Sequence, residues 1–334
     1  MKCFKYILFF CIGLLLQSCS NQLEESPYPP LNWSKKAAFP DGGRSSSTVV
    51  SVGEKAYVLF GRNSSGTYKN DCWQYDSQQN SWTKKSSCPG FPRVKPVSFE
   101  LNGKIYTGLG YYPLAVSSSM YLYNDSLYLK DFWMYDPSTD IWERKVDIPL
   151  KGTDACSGFI YDGEIYVGMG FHGLSFGHEW CKYTPETNEW TVLNNFPGVA
   201  RFGGVACSNG ENVFFGTGYC TENISDWWIY YPEADTWKEQ KNMPDKGRIN
   251  PVALSVKKRI FVSTGRFFRG TLTGGHLKND IIEYDIEKNI WYNQGRIPAP
   301  ERENAIAFTI GNKGYIGLGE NDKKLLDDLL CFEP

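Results

Sequence analysis

One frame of residues occurs five times along the chain, and a sixth copy is divided between its two ends. The frame is an acid, a tyrosine four residues later, a tryptophan seven further on, a proline seven after that, and an arginine four beyond. These copies begin at Asp71, Asp131, Glu179, Asp226 and Asp280, and the copy at Asp131 has Thr153 in place of the arginine. The divided copy has Asp328 and Phe332 at the C-terminal end and Trp33, Pro40 and Arg44 at the N-terminal end. A repeat whose missing half lies at the other end predicts a closed ring of six units.

Each unit can be divided into four β-strands. In the second unit, residues 96–101 alternate between apolar and polar, Asn102-Gly103 predicts a tight hairpin turn, and residues 104–110 form an apolar strand that ends in glycine. A third and a fourth strand follow, on either side of a turn with proline at its second position, as at Pro137. Residues 31–334 thus predict one all-β domain of six repeats, each of about 51 residues.

The apolar strand that ends in glycine, followed by Tyr and Trp seven apart and then by Pro and Arg, resembles the kelch repeat. The resemblance covers roughly residues 31–334. It implies a six-bladed β-propeller whose last blade joins three C-terminal strands to the N-terminal strand around Trp33. The chain has Gly-x-Gly, as at Gly108 and Gly110, where many kelch repeats have Gly-Gly.

The N-terminal segment has the features of a secretory signal. A basic start precedes the apolar run 7–16, which is too short to span a bilayer. The sequence Leu-Gln-Ser-Cys that ends at Cys19 resembles a bacterial lipobox, which implies a signal peptide over residues 1–18 and acylation of Cys19. Residues 19–30 are then expected to be a flexible tether. Ser20 and the acidic pair Glu24 and Glu25 resemble outer-membrane sorting signals, so we expect a lipid-anchored protein that faces the periplasm or the cell surface.

Composition excludes several classes of function. The 35 basic and 37 acidic residues nearly balance, whereas a nucleic-acid-binding protein carries a basic excess. The three histidines form no HExxH or Cys/His metal spacing, so no metal and no cofactor is predicted. Seven cysteines follow Cys19, and we expect most of them to be small buried apolar residues. The oligomeric state has no signature in the sequence.

Binding is expected on the face that carries the loops between the second and third strands. Two of these loops are long, residues 111–130 and 266–279, and both contain aromatic residues such as Tyr112. The residues that follow the strand-ending glycines differ from repeat to repeat; they are Arg62, Tyr111, Phe171, Tyr219, Arg266 and Glu320. We predict that these variable positions contact a ligand, and that Glu320 and His172 could exchange protons with it.

The repeated arginines, which are Arg44, Arg93, Arg201, Arg248 and Arg302, allow two interpretations. They could converge on the mouth of a central channel and bind a carboxylate, sulfate or phosphate. Alternatively, a residue present in nearly every blade serves the blade itself, for example by bonding to the repeated acid.

Two short motifs are set aside. Gly173–Gly177 fits GxSxG, but that nucleophile motif requires a strand-to-helix turn that a propeller lacks. Gly270–Gly275 lacks the Lys and the Ser or Thr of a phosphate-binding loop.

Two functions remain open, and we favour the first. The first is a surface propeller that binds a glycan or a protein through its loop face. The second is a sugar epimerase or mutarotase for an acidic sugar, because some bacterial kelch propellers of similar size act on N-acetylneuraminate; this is an analogy of fold. We reject a copper oxidase of the galactose-oxidase type. The resemblance to that enzyme would imply a seven-bladed propeller and copper ligands partly from an added C-terminal domain.

Overall fold

The computed structural model describes residues 23–113, 128–173, 175–269 and 274–334. The predicted signal peptide, Cys19, the centres of both long loops and Leu174 of the GxSxG motif lie outside these residues. The described chain is built from β-strands with one short 3-10 turn at Pro232–Ala234.

Six antiparallel sheets form the six blades, numbered here in chain order, and the prediction of a six-bladed propeller is confirmed. Blade 1 contains β4 (Thr48–Val52), β5 (Lys55–Leu59), β7 (Cys72–Asp76) and β8 (Ser81–Lys85). Blade 2 contains β9 (Val97–Leu101), β10 (Lys104–Gly108), β11 (Phe132–Asp136) and β12 (Ile141–Lys145). Blade 3 contains β13 (Ser157–Tyr161), β14 (Glu164–Gly168), β15 (Trp180–Thr184) and β16 (Glu189–Val192). Blade 4 contains β17 (Val205–Ser208), β18 (Val213–Gly216), β19 (Trp227–Tyr231) and β20 (Thr236–Glu239). Blade 5 contains β21 (Val252–Val256), β22 (Arg259–Ser263), β25 (Asp280–Asp285) and β26 (Ile290–Arg296). Blade 6 contains β27 (Ile306–Ile310), β28 (Lys313–Gly317) and β29 (Leu329–Glu333). The innermost strands β4, β9, β13, β17, β21 and β27 contact one another in a circle around a central channel.

The N-terminal strand closes blade 6, as predicted. Strand β2 (Asn32–Lys35) pairs antiparallel with β29, which places Trp33 opposite Phe332. Their ring centroids lie 4.9 Å apart. The ring is therefore held shut by backbone hydrogen bonds and by aromatic packing between the two ends of the chain.

The repeated tyrosine and tryptophan pack between blades. In blade 1 the rings of Tyr75 and Trp82 lie 5.0 Å apart, and Tyr75 also faces Tyr315 of blade 6 at 6.0 Å. The Trp82 indole N–H donates to the Ala37 carbonyl, 3.0 Å away, in the connection that arrives from blade 6. Aromatic pairs of this kind contribute about 0.5–1.5 kcal/mol each beyond the area that they bury. The high aromatic content is thus largely accounted for by inter-blade packing.

Part of the segment expected to be a flexible tether lies against blade 5. Strand β1 (Glu24–Glu25) pairs parallel with β26 as a fifth strand. The Gln294 amide donates to Ser26 Oγ at 2.8 Å, and the Arg259 guanidinium stacks 3.9 Å from the Tyr28 ring centroid. The difference arises because β26 is an edge strand whose unpaired backbone groups accept another strand.

Candidate functional site

Three short rows of residues extend the blades on the face that carries the long loops. The inner row follows the repeated arginines: Ser45, Val94, Asp154, Phe202, Ile249 and Glu303. The middle row follows the strand-ending glycines: Arg62, Tyr111, Phe171, Tyr219, Arg266 and Glu320. The outer row precedes the third strands: Tyr68, Tyr128, Phe176, Asn223, Leu277 and Leu325. Neighbouring rows pair antiparallel in every blade, partly as strands β3 (Arg44–Ser45), β6 (Arg62–Asn63), β23 (Arg266–Phe267) and β24 (His276–Leu277). These three rows are called the rim below.

The channel mouth lies directly inside the rim. Its six residues all adopt left-handed backbone conformations with φ between 49° and 64°; they are Ser46, Lys95, Ala155, Gly203, Asn250 and Asn304. The Lys95 N–H donates to the Ser46 carbonyl at 2.8 Å, and the Asn250 N–H donates to the Gly203 carbonyl at 2.8 Å. The mouth encloses a cavity of about 150 Å³. The rim side chains therefore stand on a ring that is held largely by backbone hydrogen bonds.

The strand-ending glycines are required by this geometry. Gly110 has φ +94°, and a Cβ there would lie 2.7 Å from the Val94 carbonyl oxygen. The left-handed φ and the close approach of the inner row both exclude larger residues without strain. The glycines thus bring the middle row beside the inner row.

The five repeated arginines lie inside the blades and do not reach the channel. Each side chain is fully buried. Each guanidinium forms a two-pronged pair with the repeated acid of its own blade and also donates to the carbonyl of the residue before the strand-ending glycine. The pairs are Arg44–Asp71, Arg93–Asp131, Arg201–Asp226, Arg248–Asp280 and Arg302–Asp328.

This pairing corrects the ligand-binding hypothesis for those five residues. Burial alone would lower the pKa of Arg248, but Asp280 and Asp245 raise it above its ordinary value. A fully buried guanidinium that bonds to a carboxylate and a carbonyl inside its blade is not accessible to a ligand in the channel. The structure supports the alternative interpretation, in which the arginines hold each blade together.

Blade 3 lacks this pair. Thr153 replaces the arginine and donates its hydroxyl to the Phe171 carbonyl at 2.9 Å. Glu179 instead accepts the backbone N–H of His178 at 3.0 Å. Burial opposes ionisation of Glu179, but the backbone N–H groups of Glu179 and His178, together with the nearby histidines, lower its pKa overall. The acid of this blade is therefore stabilised by local backbone donors.

One half of the rim, formed by blades 5, 6 and 1, is charged. Glu320 accepts hydrogen bonds from Arg62 at 2.9 Å, Ser45 at 2.8 Å and Asn304 at 2.9 Å. Glu303 accepts from Arg266 at 2.6 Å and from Asn250 at 3.2 Å. Two carboxylates thus lie beside the mouth, and both are orientated by several donors.

The other half of the rim, formed by blades 2 to 4, is aromatic. Adjacent ring centroids lie 5.2 to 6.2 Å apart along the series Tyr111, Tyr128, Phe171, Phe202 and Tyr219, with Phe176 stacked on Phe202 at 5.5 Å. The Lys95 ammonium lies 5.8 Å from the Phe202 ring centroid, at the edge of the mouth. The mouth therefore has an apolar wall on one side and a polar wall on the other.

The predicted acid and base are not brought together. Glu320 stands in blade 6, whereas His172 stands in blade 3, on the opposite side of the ring. The His172 ring hydrogen-bonds instead to Ser175 of its own loop, at 3.0 Å. A proton exchange that needs both groups on one small substrate is not supported by this placement.

The other predicted site residues differ from one another in their exposure and in their bonding partners. Arg62 is 39% exposed and keeps donors available, whereas Arg266 bonds to Glu303, Asp322 and the Gly274 carbonyl. Tyr219 is buried in the rim and donates to the Thr221 carbonyl at 3.1 Å. Tyr112 lies outside the rim, where it stacks on Phe91 at 5.8 Å. Of these residues, Arg62 has a guanidinium that stays partly exposed beside the mouth.

Sequence reasoning missed the inner row. Asp154, Phe202 and Glu303 follow the position of the repeated arginine and vary from blade to blade, so the frame itself could have singled them out. Asp154 Oδ1 is buried without a hydrogen-bond partner among the described residues. Burial raises the pKa of Asp154, and Lys95 offsets the rise only in part.

We expect Asp154→Asn to stabilise the protein at neutral pH. Because the folded-state pKa lies above the ordinary 3.8, the native state binds the proton more tightly than the unfolded state does, and the wild type loses stability as pH rises above that value. At pH 7 the free energy of unfolding of the variant should exceed that of the wild type by about 1 kcal/mol. The gain should vanish as pH falls below 3.8, and urea unfolding at several pH values measures it. A gain of equal size at pH 3 would contradict this account.

The described residues offer no alternative centre. All seven described cysteines are free thiols, and burial raises the pKa of Cys88 to about 12. Within residues 23–113, 128–173, 175–269 and 274–334, no three His, Cys, Asp or Glu side chains are grouped as a metal site would require. No helix in that part of the chain is long and apolar enough to cross a membrane.

Comparisons with known proteins agree with this architecture. A family profile described as the kelch motif matches residues 43–89. The solved structure of YjhT has a TM-score of 0.74 and 16% sequence identity, and the likeness covers 88% of this chain and 95% of that one. At this identity the likeness establishes the fold.

Two kinds of protein with established names are similar in sequence. N-acetylneuraminate epimerase from Escherichia coli (strain K12) is 27% identical over 239 residues, which is 58% of this chain and 64% of the relative. The F-box/kelch-repeat protein SKIP30 from Arabidopsis thaliana is 31% identical over 103 residues, which is 30% of this chain and 26% of that protein. The match thus spans less than two thirds of the epimerase's length.

Proposed function

We propose that this six-bladed propeller with a kelch motif binds a sugar at the mouth of its central channel. The observation that carries the proposal is the division of the rim around one small mouth between an aromatic half and a half of hydrogen-bonding side chains. A sugar ring has the same division, with an apolar C–H face and hydroxyl groups around its edge.

The two halves would act on different parts of the ligand. Phe171 and Phe202, whose centroids are 5.7 Å apart, offer apolar ring faces against which C–H groups pack. Glu303 and Glu320 are held in place by their donors, so their remaining lone pairs can accept hydrogen bonds from hydroxyl groups. Sites built from an apolar wall and a few fixed polar groups are typical of small-molecule recognition.

An acidic sugar is the ligand that this mouth favours. Lys95 and the partly exposed Arg62 are cationic groups at the mouth and the rim. A carboxylate beside them would gain charge-assisted hydrogen bonds. The similarity to N-acetylneuraminate epimerases over 58% of the chain makes N-acetylneuraminate the first compound to test.

Replacing Phe202 with alanine should weaken N-acetylneuraminate binding by about tenfold or more, because it removes the aromatic face next to Lys95. Proton NMR line widths of the sugar, titrated with the domain from residue 20 onward, measure the affinity. Tyr231→Ala is the matched control: Tyr231 belongs to the same blade and is 42% exposed at the far end of β19. An equal loss in both variants, or none in Phe202→Ala, would argue against the mouth as the site.

A second candidate function is mutarotation of the same sugar, favoured by the names of the epimerase relatives. In that reaction a base takes the proton of the anomeric hydroxyl, the bond from the anomeric carbon to the ring oxygen breaks, and an acid protonates that oxygen; the ring then recloses on the other face of the carbonyl. Glu303 and Glu320, which pair with each other across the inner and middle rows of blade 6, are the carboxyl groups beside the mouth. Anomer exchange in the same spectra that is faster with the protein and lost in Glu303→Gln or Glu320→Gln would establish the enzyme.

We also propose that Cys19 is acylated and anchors the propeller to the outer membrane. The support is the sequence pattern before Cys19. Because strand β1, which pairs with blade 5, begins at Glu24, the four residues 20–23 separate Cys19 from the propeller, a reach of about 14 Å when extended. Incorporation of labelled palmitate that Cys19→Ser abolishes tests the proposal.

A further inference from the structure

A second pocket, of about 530 Å³, lies beside blade 2 and outside the channel mouth. Its lining includes Trp133, Phe91 and Tyr128, with Lys130 and Arg144 also among the lining residues. Phe91 is 58% exposed, and its ring stacks on Tyr112. The volume falls within the range of ordinary ligand sites.

The pocket adjoins a small residue that departs from the repeat. The position before the repeated proline is Phe39, Cys88, Ile148, Phe196, Met243 and Ile297 in the six copies. In blade 1, Phe39 packs against Trp73 at 5.6 Å, and in blade 4, Phe196 packs against Trp228 at 5.2 Å. Trp133, the equivalent tryptophan of blade 2, has the much smaller Cys88 at that place. We attribute the space beside the indole to this difference in side-chain size.

Like the aromatic half of the rim, this pocket combines aromatic rings with a cationic group nearby. Trp133 is half-buried and donates its indole N–H to Asp131 at 2.6 Å, which fixes the plane of the ring. The Arg144 guanidinium lies 6.0 Å from the Trp133 ring centroid and pairs with Asp147 at 3.0 Å. A rigid indole with cationic groups nearby suits a second sugar ring that carries hydroxyl groups at its edge.

Tyr128 joins the two sites. It lines the blade 2 pocket, and it is also part of the aromatic half of the rim, 5.2 Å from Tyr111 and 6.1 Å from Phe171 between ring centroids. A chain of sugar units could therefore pass from the mouth across Tyr128 into the pocket that Tyr128 and Trp133 both line.

We infer that the ligand is an oligosaccharide, whose acidic sugar enters the mouth and whose next units lie in the blade 2 pocket against Trp133. This inference rests on the proposed function and extends it from a single sugar to a glycan. The occupants of the blade 2 pocket are then sugar units that are covalently linked to the acidic sugar in the mouth.

The test compares N-acetylneuraminate with 3′-sialyllactose, in which the same acidic sugar carries two more units. Titration calorimetry with the domain from residue 20 onward should show the trisaccharide binding about tenfold more tightly than the monosaccharide. Trp133→Ala and Phe91→Ala should each weaken trisaccharide binding by about fivefold or more and leave monosaccharide binding unchanged. Phe91→Ala guards against misfolding, since that side chain is largely exposed.

Trp73→Ala is the matched control for Trp133→Ala. Trp73 holds the same place in blade 1 and donates its indole N–H to Asp71 at 3.0 Å, but Phe39 packs against it. It should leave the affinity for both sugars unchanged. Equal affinities of the wild type for the two sugars, with no effect of Trp133→Ala or Phe91→Ala, would overturn the oligosaccharide inference and leave the proposed sugar site standing. Failure of both sugars to bind would overturn both.

Discussion

Replacing Arg302 with alanine is expected to lower the free energy of unfolding by about 3–5 kcal/mol, the cost of breaking a buried ion pair from one side. Arg302 is fully buried, pairs with Asp328 at 2.6 and 2.7 Å, and donates to the Leu318 carbonyl at 3.0 Å. The variant leaves a carboxylate and a carbonyl without these donors in the blade that closes the ring. A total stability of 5–15 kcal/mol is ordinary for a domain, so the loss should be severe.

Urea unfolding followed by tryptophan fluorescence measures this loss. Arg62→Ala is the matched control, because Arg62 also pairs with a carboxylate, Glu320, but is 39% exposed; it should cost at most about 1 kcal/mol. The double variant Arg302→Met with Asp328→Leu should recover much of the stability, since both charges are then gone. Similar small losses for Arg302→Ala and Arg62→Ala would show that the buried pairs do not hold the blades.

Removing residues 1–36, and with them strand β2, should destabilise the ring by on the order of 5 kcal/mol. The deletion removes the four-residue pairing with β29, the Trp33 ring against Phe332, and the buried Leu31. It also leaves β29 as an open edge that favours aggregation. We expect a chain that begins at Ala37 to melt far lower or to precipitate, as measured by thermal unfolding and size-exclusion chromatography.

A chain that begins at Leu31 is the appropriate comparison. It keeps β2 and loses only the segment along blade 5, with the pairing of β1 to β26 and the stacking of Tyr28 on Arg259. We expect it to remain folded and monodisperse, with a modest loss of stability. If the two truncations behaved alike, closure of blade 6 by β2 would not be what holds the ring.

The repeat frame was sufficient to predict the architecture because every member of it has a fixed geometric task. Glycine at position 110 must be left-handed, and the tyrosine–tryptophan spacing places Tyr75 against Trp82 across a turn. Such local rules recur in each blade, so six copies confirm one another. The split copy at Asp328 and Trp33 then indicated closure, which the pairing of β2 with β29 confirms.

The site was harder to predict because it depends on contacts between residues far apart in the chain. Arg302 has the same sequence context whether it faces the channel or Asp328, and only the fold shows that it faces the acid. The order of the blades also determines that Glu320 meets Arg62, 258 residues away, while His172 stands on the other side of the ring. The pairing of β1 with blade 5 likewise depends on the exposed edge of β26, and the acidic sequence Glu24-Glu25 does not by itself predict a strand there.

The structure separates the residues that hold the ring from those that face the ligand, and this has an evolutionary consequence. Rim pairing is made by backbone groups, and the buried arginine–acid pairs lie beneath it, so an exchange of Phe202 or Arg62 leaves both intact. Recognition could therefore diversify one blade at a time without passing through unfolded intermediates. A library that randomises only Arg62, Tyr111, Phe171 and Phe202 should yield a high fraction of folded members, and the same scaffold could be retargeted to unrelated ligands.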